Sequence, residues 1–246
     1  MPGSVTVGLV LPAYEPDTGK LRSYVDALLD VLQPAVVRIE LDAPGGSSLS
    51  FPGRDAVEVN VVGERRGKGL AITQGFESVD TDVLAFADAD GSTPADSITD
   101  VVGALDDADL AAGSRRHPES RIQTHQSVLR RKLGDAFAWG SRALLPVSLS
   151  DYQCGAKALT QEAWQAVRDY LYEPGFAWDV ELVTVADARG LQLTEVPVAW
   201  EDDPRSTVNT RETVQELART VFSLRRRYPS IADGTEHRSR TRLVER

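Results

Sequence analysis

The chain has 246 residues, of which 41% are hydrophobic, and this is enough to form one domain with a substantial buried core. Its formal net charge is −10, and it contains only four lysines, so arginine supplies most of its cationic groups. This balance excludes general nucleic-acid binding, which depends on cationic contacts to phosphates, and is typical of proteins from salt-adapted cells or from genomes of high GC content.

The single cysteine, Cys154, excludes an intrachain disulfide. The N-terminal residues do not resemble a signal peptide, so we expect a cytoplasmic protein. No run of residues approaches the roughly 18 apolar positions that a membrane-spanning helix needs. If the protein acts on a lipid, we expect it to meet the membrane peripherally or through a partner.

The first half of the chain alternates between two kinds of pattern. Apolar runs rich in β-branched residues predict short buried strands at residues 5–11, 36–41, 57–62, 83–87 and around 110–112. Stretches with helical periodicity lie between them, at residues 21–32, from Gly67 onward, and after Pro94. This alternation predicts an α/β fold with a mainly parallel sheet covered by helices on both faces.

The second half is richer in helical patterns. They predict a long helix at about residues 126–145, a helix at 178–189, an isolated strand at 193–198 and an amphipathic helix at about 210–227. No Gly-, Ser- or Pro-rich linker separates the halves, so we predict one domain over residues 1–229, with halves 1–115 and 116–229. Residues 230–246 are predicted to form a basic, mobile tail.

In open α/β sheets, ligands bind beyond the carboxyl ends of the strands, so the residues after each strand are candidates for function. Pro12, Tyr14 and Glu15 follow the first strand, where the ring can stack on a base and the carboxylate can accept its N–H groups. An ordinary proline-rich loop is the alternative. Asp42 follows the second strand, where it either holds a base or ribose or forms a turn.

Two acids follow the fourth strand, at Asp88 and Asp90. In extended backbone, residues i and i+2 lie on the same side, so both carboxylates can converge on one divalent cation. Oxygen ligands suit Mg²⁺ or Mn²⁺, which the phosphates of a nucleotide sugar would also coordinate. A solvated turn is the alternative, but the position at a strand end, before Gly91 and a helix start at Pro94, favours a metal site.

A cationic, glycine-containing segment opens the second helix, at residues 65–69. Gly67 and Gly69 can leave backbone N–H groups free, and Lys68 adds positive charge, so the segment favours phosphate. It lacks the spacing of a P-loop, which argues against an ATPase.

These motifs resemble those of the family 2 glycosyltransferases, and within them the dolichyl-phosphate glucosyltransferases and dolichyl-phosphate mannose synthases, over about residues 7–228. The matching segments are residues 11–15, 67–69, 86–91, 113–115, 151–155, 176–182 and 195–200. The resemblance implies the GT-A fold of nucleotide-diphospho-sugar transferases, with a mainly parallel mixed sheet flanked by helices. It also makes residues 1–115 the nucleotide-sugar-binding half and 116–229 the acceptor-side half.

The resemblance implies a role for each matching residue. Asp88 and Asp90 correspond to the metal-binding pair, with Ser92, a weaker ligand, at the position of a third. The catalytic set is Asp90, Arg115, Arg130 and Asp151. The donor-binding set is Pro12, Tyr14, Glu15, Asp42, Lys68, Asp88, Gln153 and Asp179. The acceptor-phosphate set is Arg130, Arg131 and Arg205, since the planar guanidinium matches phosphate oxygens, although Arg131 is equally well placed to lie in solvent.

The chain departs from the family pattern in two places. Residues 41–46 replace the family's Asp-Asp-Gly-Ser, which affects recognition of the base. Arg205 stands one position before the family's lysine.

The function that the resemblance implies is inverting transfer of a hexose to a polyprenyl (dolichyl) phosphate, in protein or lipid glycosylation. Glucose is favoured over mannose, a UDP-sugar over a GDP-sugar, and the cofactor is Mg²⁺ or Mn²⁺. A phosphate acceptor is already an anion, so it needs no strong general base, and direct displacement inverts the anomeric carbon. The alternatives are a soluble transferase with a small acceptor such as a phosphoglycerate and, less favoured, a sugar-phosphate nucleotidyltransferase or a non-catalytic nucleotide-sugar-binding protein.

The last predicted helix is a candidate for membrane contact. Its apolar residues Val214, Leu217, Val221, Phe222 and Leu224 are predicted to share one side. A basic end follows, at Arg225, Arg226 and Arg227, with four more arginines in the tail, at Arg238, Arg240, Arg242 and Arg246. Anionic headgroups would attract this end. The alternative is a helix packed on the core with a solvated tail.

Overall fold

The computed structural model describes residues 5–43, 45, 49–122, 140, 144–201, 210–236 and 243–245. Its strands are β1 (Val7–Tyr14), β2 (Val36–Asp42), β3 (Val57–Val62), β4 (Val83–Ala87), β5 (Leu110–Ser114), β6 (Arg121–Ile122), β7 (Ala156–Thr160), β8 (Leu193–Pro197) and β9 (Ala199–Trp200). Its α-helices are α1 (Thr18–Val31), α2 (Lys68–Glu77), α3 (Ala95–Gly103), α4 (Gln161–Val167), α5 (Trp178–Ala188) and α6 (Thr210–Ala232). Within these ranges, none of the helices combines the length and the apolar character needed to span a bilayer.

Seven of the strands form one sheet in the order β3-β2-β1-β4-β7-β5-β8. All neighbouring pairs are parallel except the two that β7 makes with β4 and β5. The predicted mainly parallel, mixed sheet is therefore confirmed. The strand predicted at 193–198 is confirmed as β8, which pairs with β5 along its length. Since β7 and β8 come from the second half of the chain, one sheet unites both halves.

Helices cover both faces of this sheet, as predicted. On one face, α1 and α3 pack on β1, β2 and β4 through residues such as Leu21, Leu28 and Ile98. On the other face, α2, α4, α5 and α6 share a core. Edge-to-face contacts join its large rings: Phe86 to Trp178 at 5.5 Å, Trp178 to Phe76 at 6.3 Å, and Phe76 to Trp164 at 5.1 Å between centroids.

The chain changes direction across the sheet between β1 and β4. From β1 it continues to β2 and β3 on one side, then crosses to β4 on the other. β1 pairs with β2 as far as Tyr14, but with β4 only as far as Val10. Pro12 therefore lies where β4 no longer flanks β1, which limits the cost of its missing N–H group. The carboxyl ends of β1 and β4 thus form an open crevice, the usual ligand site in such sheets.

Helix α6 is longer than predicted and buries a narrower face. It runs to Ala232, and Leu217, Val221 and Leu224 are at most 3% exposed in the core shared with α5. Phe222 is 59% exposed, so it does not share their side. One helical residue corresponds to a rotation of about 100°, which places Phe222 well away from Val221. The side chain of Val214 lies outside the described residues.

The predicted mobile tail is in part a packed segment. Beyond α6, Leu243 is fully buried, and its N–H donates to the carbonyl of Leu171 at 3.1 Å. Leu243 belongs to the same core as α2, α4 and α5. The chain therefore returns to the domain after residue 236, and residues 237–242 and 246, with the four tail arginines, lie outside the described part.

We expect Leu243→Ala to lower the free energy of unfolding by about 3 kcal/mol, because it removes a buried side chain and leaves a cavity. Val31→Ala, which shortens a side chain that is 44% exposed, is the control and should change it by less than about 0.5 kcal/mol. Urea unfolding followed by tryptophan fluorescence measures both. Equal stability of the two variants would contradict docking of Leu243.

Candidate active site

The two acids predicted to bind metal lie at the crevice between β1 and β4. Asp88 follows β4 directly, and its N–H donates to the carbonyl of Gly155 at 2.9 Å. A Cβ atom built on Gly155 would lie 1.8 Å from Oδ2 of Asp88. The carboxylate of Asp88 thus occupies space that any residue other than glycine would fill at position 155.

Asp90 is exposed, and its Oδ1 accepts a hydrogen bond from the N–H of Ser92 at 2.9 Å. The turn that carries both acids rests on Tyr24 of α1, whose hydroxyl donates to the carbonyl of Thr93 at 2.7 Å. Burial, together with the charges of Asp88 and Asp90, raises the pKa of Tyr24, so its hydroxyl remains a donor. Sequence analysis missed Tyr24, because it lies in an ordinary helical pattern far from the acids in the chain.

A buried chain of alternating charges connects Asp88 to the core. Nζ of Lys68 lies 2.9 Å from Asp88 and 2.9 Å from Asp179, while Nζ of Lys157 lies 2.7 Å from the other oxygen of Asp179. The ring of Phe86 lies under both ammonium groups, at 5.2 and 5.6 Å from its centroid. Two of the four lysines in the sequence therefore converge on one carboxylate.

The charged neighbours in this chain shift the pKa values of Asp179 and Asp88. Burial would raise the pKa of Asp179, but Lys157 and Lys68 hold it below its ordinary value. Burial raises the pKa of Asp88, and the nearby carboxylates of Asp90 and Asp179 add to this despite the opposing charge of Lys68. Asp179, only 2% exposed, thus holds two lysines, and its predicted part in donor binding stays a prediction.

The glycines at the start of α2 allow the backbone to pack closely against a neighbouring segment. Gly67 has a φ of +97°, and a Cβ there would lie 2.6 Å from the carbonyl of Pro174. A Cβ on Gly69 would lie 2.4 Å from the carbonyl of Glu173. The N–H of Gly67 donates to Asp42 at 3.3 Å, so it is not free for phosphate as predicted. The glycines instead bring Lys68 against the segment that begins α5.

Asp42 lies within a second buried network. One of its oxygens accepts from Nε of Arg66 at 2.7 Å, and the other accepts from the backbone N–H of Arg66 at 2.7 Å. Nη1 of Arg66 donates to Glu40 and to Gln74. Asp42 is 3% exposed and holds the loop before α2 in place, and its predicted contact with a base or ribose stays a prediction.

Tyr14 and Glu15 lie at the end of β1, as predicted. The guanidinium of Arg65 lies 4.2 Å from the centroid of the Tyr14 ring, and Arg65 itself is exposed. Glu15 has a φ of +46°, which turns the chain sharply out of the strand. The Tyr14 ring and the Arg65 guanidinium thus lie together at the end of β1, and Glu15 is the next residue of the chain.

Arg115 and Asp151 form a bidentate ion pair on the far side of the crevice. Nε and Nη2 of Arg115 lie 2.7 and 2.9 Å from the two oxygens of Asp151, and its backbone N–H donates at 3.1 Å. Burial opposes ionisation of Asp151, but Arg115 keeps the pKa of the carboxyl well below its ordinary range. Asp151 therefore positions Arg115, and its predicted catalytic role stays a prediction.

A further acid, whose role was not predicted from the sequence, supports this pair. Glu195 of β8 accepts hydrogen bonds from the N–H groups of Ser150 and Asp151 at 2.8 and 2.7 Å. Arg115 is 25% exposed in its side chain and lies 5.6 Å from the centroid of Trp200. The N–H of Gln153 donates to Asp151 at 3.1 Å, which places this residue beside the pair. Arg130, Arg131 and Arg205 lie outside the described residues.

The chain is similar to proteins of known activity. Residues 53–144 match the Glycosyl transferase family 2. The dolichyl-phosphate beta-glucosyltransferase of Saccharomyces cerevisiae is 25% identical over 67% of this chain and 53% of its own length. That of Mus musculus is 30% identical over 72% of this chain and 56% of its own length. Glycosyltransferase AglD of Haloferax volcanii is 30% identical over 80% of this chain and 33% of its own length. The chain therefore spans about half or less of the length of each of these relatives.

A solved structure shares the fold. Glucosyl-3-phosphoglycerate synthase from Mycobacterium tuberculosis, crystallised with Mn²⁺, UDP-glucose and phosphoglyceric acid, superposes with a TM-score of 0.68 over 90% of this chain and 80% of that chain. The two sequences are 16% identical. The sheet order, the crevice and the sequence matches agree, and the chain therefore carries a glycosyl transferase family 2 domain with the GT-A fold.

Proposed function

We propose that this domain transfers glucose from UDP-glucose to a polyprenyl phosphate of the dolichyl type, with inversion at the anomeric carbon. Several relatives are named dolichyl-phosphate beta-glucosyltransferases, which supports both the sugar and the acceptor. The observation that carries the proposal is the crevice itself, where two carboxylates, Asp88 and Asp90, lie beside the paired cations Lys68 and Arg115. This arrangement suits a diphosphate leaving group and an anionic acceptor.

The acids fit a hard divalent cation. In the part of the chain that the structure describes, no three or more His, Cys, Asp or Glu side chains are grouped as metal ligands. Mg²⁺ and Mn²⁺ sites of transferases commonly use one or two carboxylates together with substrate phosphates, so Asp88 and Asp90 suffice. Ser92 is 7% exposed, and its hydroxyl is the proposed weak third ligand. A bound cation would offset the charge that develops on the leaving diphosphate.

The neighbouring residues would position the reactants. Lys68, held by Asp179, can donate to a donor phosphate from the position where it now contacts Asp88. Arg115 uses Nε and Nη2 on Asp151, and within the described residues its Nη1 has no hydrogen bond and can bind a phosphate oxygen. Tyr14 at the end of β1 is the proposed platform for the base, and Arg130, Arg131 and Arg205 are the proposed further contacts to the acceptor phosphate.

We expect Gly155→Ala to lower kcat/KM by on the order of 10²-fold, because its Cβ would displace the carboxylate of Asp88, and a misplacement of about 1 Å can have this effect. The half-saturating concentration of Mn²⁺ should rise in parallel. Gly103→Ala is the control, since its Cβ would meet open space. Equal activity of the two variants would show that the observed position of Asp88 is not needed.

The proposed reaction is tested by transfer of radiolabelled sugar from UDP-glucose, UDP-galactose, GDP-mannose and GDP-glucose. The acceptors are dolichyl phosphate in detergent and 3-phosphoglycerate in buffer, with Mg²⁺, Mn²⁺ or chelator, at low and high salt. Label that enters the organic phase from UDP-glucose, and is lost with chelator, is the expected result. A water-soluble product on 3-phosphoglycerate would replace the proposal by the small-acceptor alternative. A lipid product of retained anomeric configuration would contradict direct displacement.

A further inference from the structure

Helix α6 exposes a continuous stripe opposite its buried face. The exposed residues recur at intervals of three and four along the helix, which places them on one side. They are Gln215, Ala218, Arg219, Phe222, Arg225, Arg226 and Pro229. None of the seven is acidic. At about 1.5 Å per residue, the stripe is roughly 21 Å long.

The composition of this stripe contrasts with the rest of the protein. The chain has a formal net charge of −10, yet the stripe carries three arginines. Phe222 lies at its centre and is the one exposed aromatic side chain among the residues that the structure describes. Asp233, the nearest acid beyond the end of the helix, accepts a hydrogen bond from the N–H of Thr235 at 3.0 Å. The stripe thus combines an apolar anchor with concentrated positive charge.

A groove adjoins the stripe at its C-terminal end. It has a volume of about 360 Å³ and lies between Leu144, Leu145 and Pro146 on one side and α6 on the other. Arg225 and Pro229 of the stripe also line the groove. Nη1 of Arg225 donates to the carbonyl of Leu144 at 2.9 Å, which holds the two sides together. The groove therefore adjoins the stripe, and of its residues beyond the helix Pro146 is exposed while Leu145 is buried.

The direction of α6 relates the stripe to the crevice. Glu216 accepts from the N–H of Ala177 at 3.2 Å, just before α5, and Tyr228 donates to Asp187 near the end of α5. The two helices thus run parallel, and Asp179 in the first turn of α5 contacts Lys68. The N-terminal end of the stripe lies on the side of the crevice, so a surface that covers the stripe also approaches the crevice.

We propose that the outer face of α6 docks on a membrane surface rich in anionic phospholipid, with Phe222 inserted among the headgroups and Arg219, Arg225 and Arg226 on the phosphates. Complementary charge carries this choice of partner, because a protein with a net charge of −10 is otherwise repelled by such a surface. An aromatic flanked by arginines is typical of helices that lie in the membrane interface. The inference rests on the proposed function, because a transferase with a lipid acceptor must reach that acceptor at the membrane.

The test uses the whole chain and vesicles without any sugar donor. Vesicles of phosphatidylcholine alone are compared by co-sedimentation with vesicles that also contain phosphatidylserine. The wild-type protein is expected to bind only the anionic vesicles. Phe222→Ser should weaken binding about tenfold, from the loss of a buried aromatic. Arg219→Gln and Arg226→Gln should weaken it about fivefold each. Arg225 is left unchanged because of its contact with Leu144.

The control variant is Arg54→Gln with Val61→Ser, which removes one exposed arginine and one exposed apolar side chain near β3. It should bind anionic vesicles as the wild type does. Failure of the wild type to bind, or equal binding by the triple variant Phe222→Ser, Arg219→Gln, Arg226→Gln and the wild type, would overturn the proposal.

A second measurement distinguishes an effect on membrane docking from an effect on sugar transfer. The triple variant should transfer sugar to a short, water-soluble polyprenyl phosphate at the wild-type rate, but transfer more slowly to dolichyl phosphate in anionic vesicles. Equal loss with both acceptors would assign the effect to the active site and overturn docking as its cause. Vesicle binding without any sugar transfer would leave the docking surface standing and contradict the proposed function alone.

Discussion

Replacement of Asp90 by asparagine is expected to lower kcat/KM for sugar transfer by on the order of 10³-fold, while the fold is retained. A bound cation contributes several kcal/mol to the leaving group, and each 1.36 kcal/mol corresponds to about tenfold in rate. Asp90 is exposed, and its hydrogen bond from the N–H of Ser92 can be kept by the amide oxygen of asparagine. The substitution therefore removes charge without removing the turn.

Asp96→Asn is the matched control, because Asp96 is an exposed acid in the first turn of α3 and lies beyond the proposed metal-binding pair. It should keep wild-type activity. The measurements are kcat/KM over a range of Mn²⁺ concentrations and the thermal unfolding midpoint of each variant. Asp90→Asn with wild-type kinetics would contradict the assignment of the pair, whereas a lowered unfolding midpoint would indicate a structural effect of the substitution.

The second large effect is expected at Asp179. Asp179→Asn should lower the free energy of unfolding by about 3–5 kcal/mol, since it leaves Lys157 buried without its carboxylate partner. Lys157 is 1% exposed, and apart from Asp179 its ammonium group contacts the carbonyl of Cys154 at 2.8 Å. Lys68 keeps its contact with Asp88 but loses the group that positions it. Activity should therefore fall together with stability.

A double-mutant cycle isolates this interaction. Lys157→Met combined with Asp179→Asn removes both the cation and the anion, so the double variant should be more stable than Asp179→Asn alone. Asp100→Asn, an exposed acid of α3, serves as the control. Chemical unfolding of the wild type, the two single variants and the double variant measures the coupling energy. Additive losses in the double variant would show that the two side chains do not stabilise each other.

The same pair predicts a dependence of stability on pH. The pKa of Asp179 is held below its ordinary value in the folded protein, so its contribution is complete above the unfolded pKa of about 3.9. It is lost as the pH falls from there through the folded pKa. Asp151, whose pKa is also lowered by Arg115, contributes in the same window. The unfolding free energy of Asp179→Asn should therefore fall less steeply below about pH 4 than that of the wild type.

The strands whose bounds were predicted correctly are rich in apolar residues, mainly valine in β3 and a continuous apolar run in β4. β3 and β4 begin and end at the predicted residues. β1 extends to Tyr14, three residues beyond its predicted end, because pairing with β2 continues through Pro12. β7 was missed, since its five residues include a lysine and its pattern is that of a polar segment. The carboxylate of Asp179, on a distant helix, neutralises that lysine in the buried strand.

The residues of the site likewise divide into those that could be predicted from the sequence and those that could not. The pair Asp88 and Asp90 is visible in the sequence, because the end of an apolar strand is a local property of the chain, although the acids lie in a turn and not in the extended backbone that was expected. Which groups neutralise them is not local. Lys68 and Asp179 are 111 residues apart in the chain, and Ser150 and Glu195 are 45 apart. No periodicity relates such residues, so their pairing could not be read from the sequence.

The sequence by itself determined the α/β alternation, the crevice at the strand ends, the acidic pair and the family resemblance. The tertiary structure decided the partners of the charged residues. Asp42 and Asp179, predicted to bind the donor, and Asp151, predicted to be catalytic, are buried and hold Arg66, the two lysines and Arg115. The reason is physical: a charge removed from water needs a partner within hydrogen-bond distance, and only the packing of distant elements determines which partner that is.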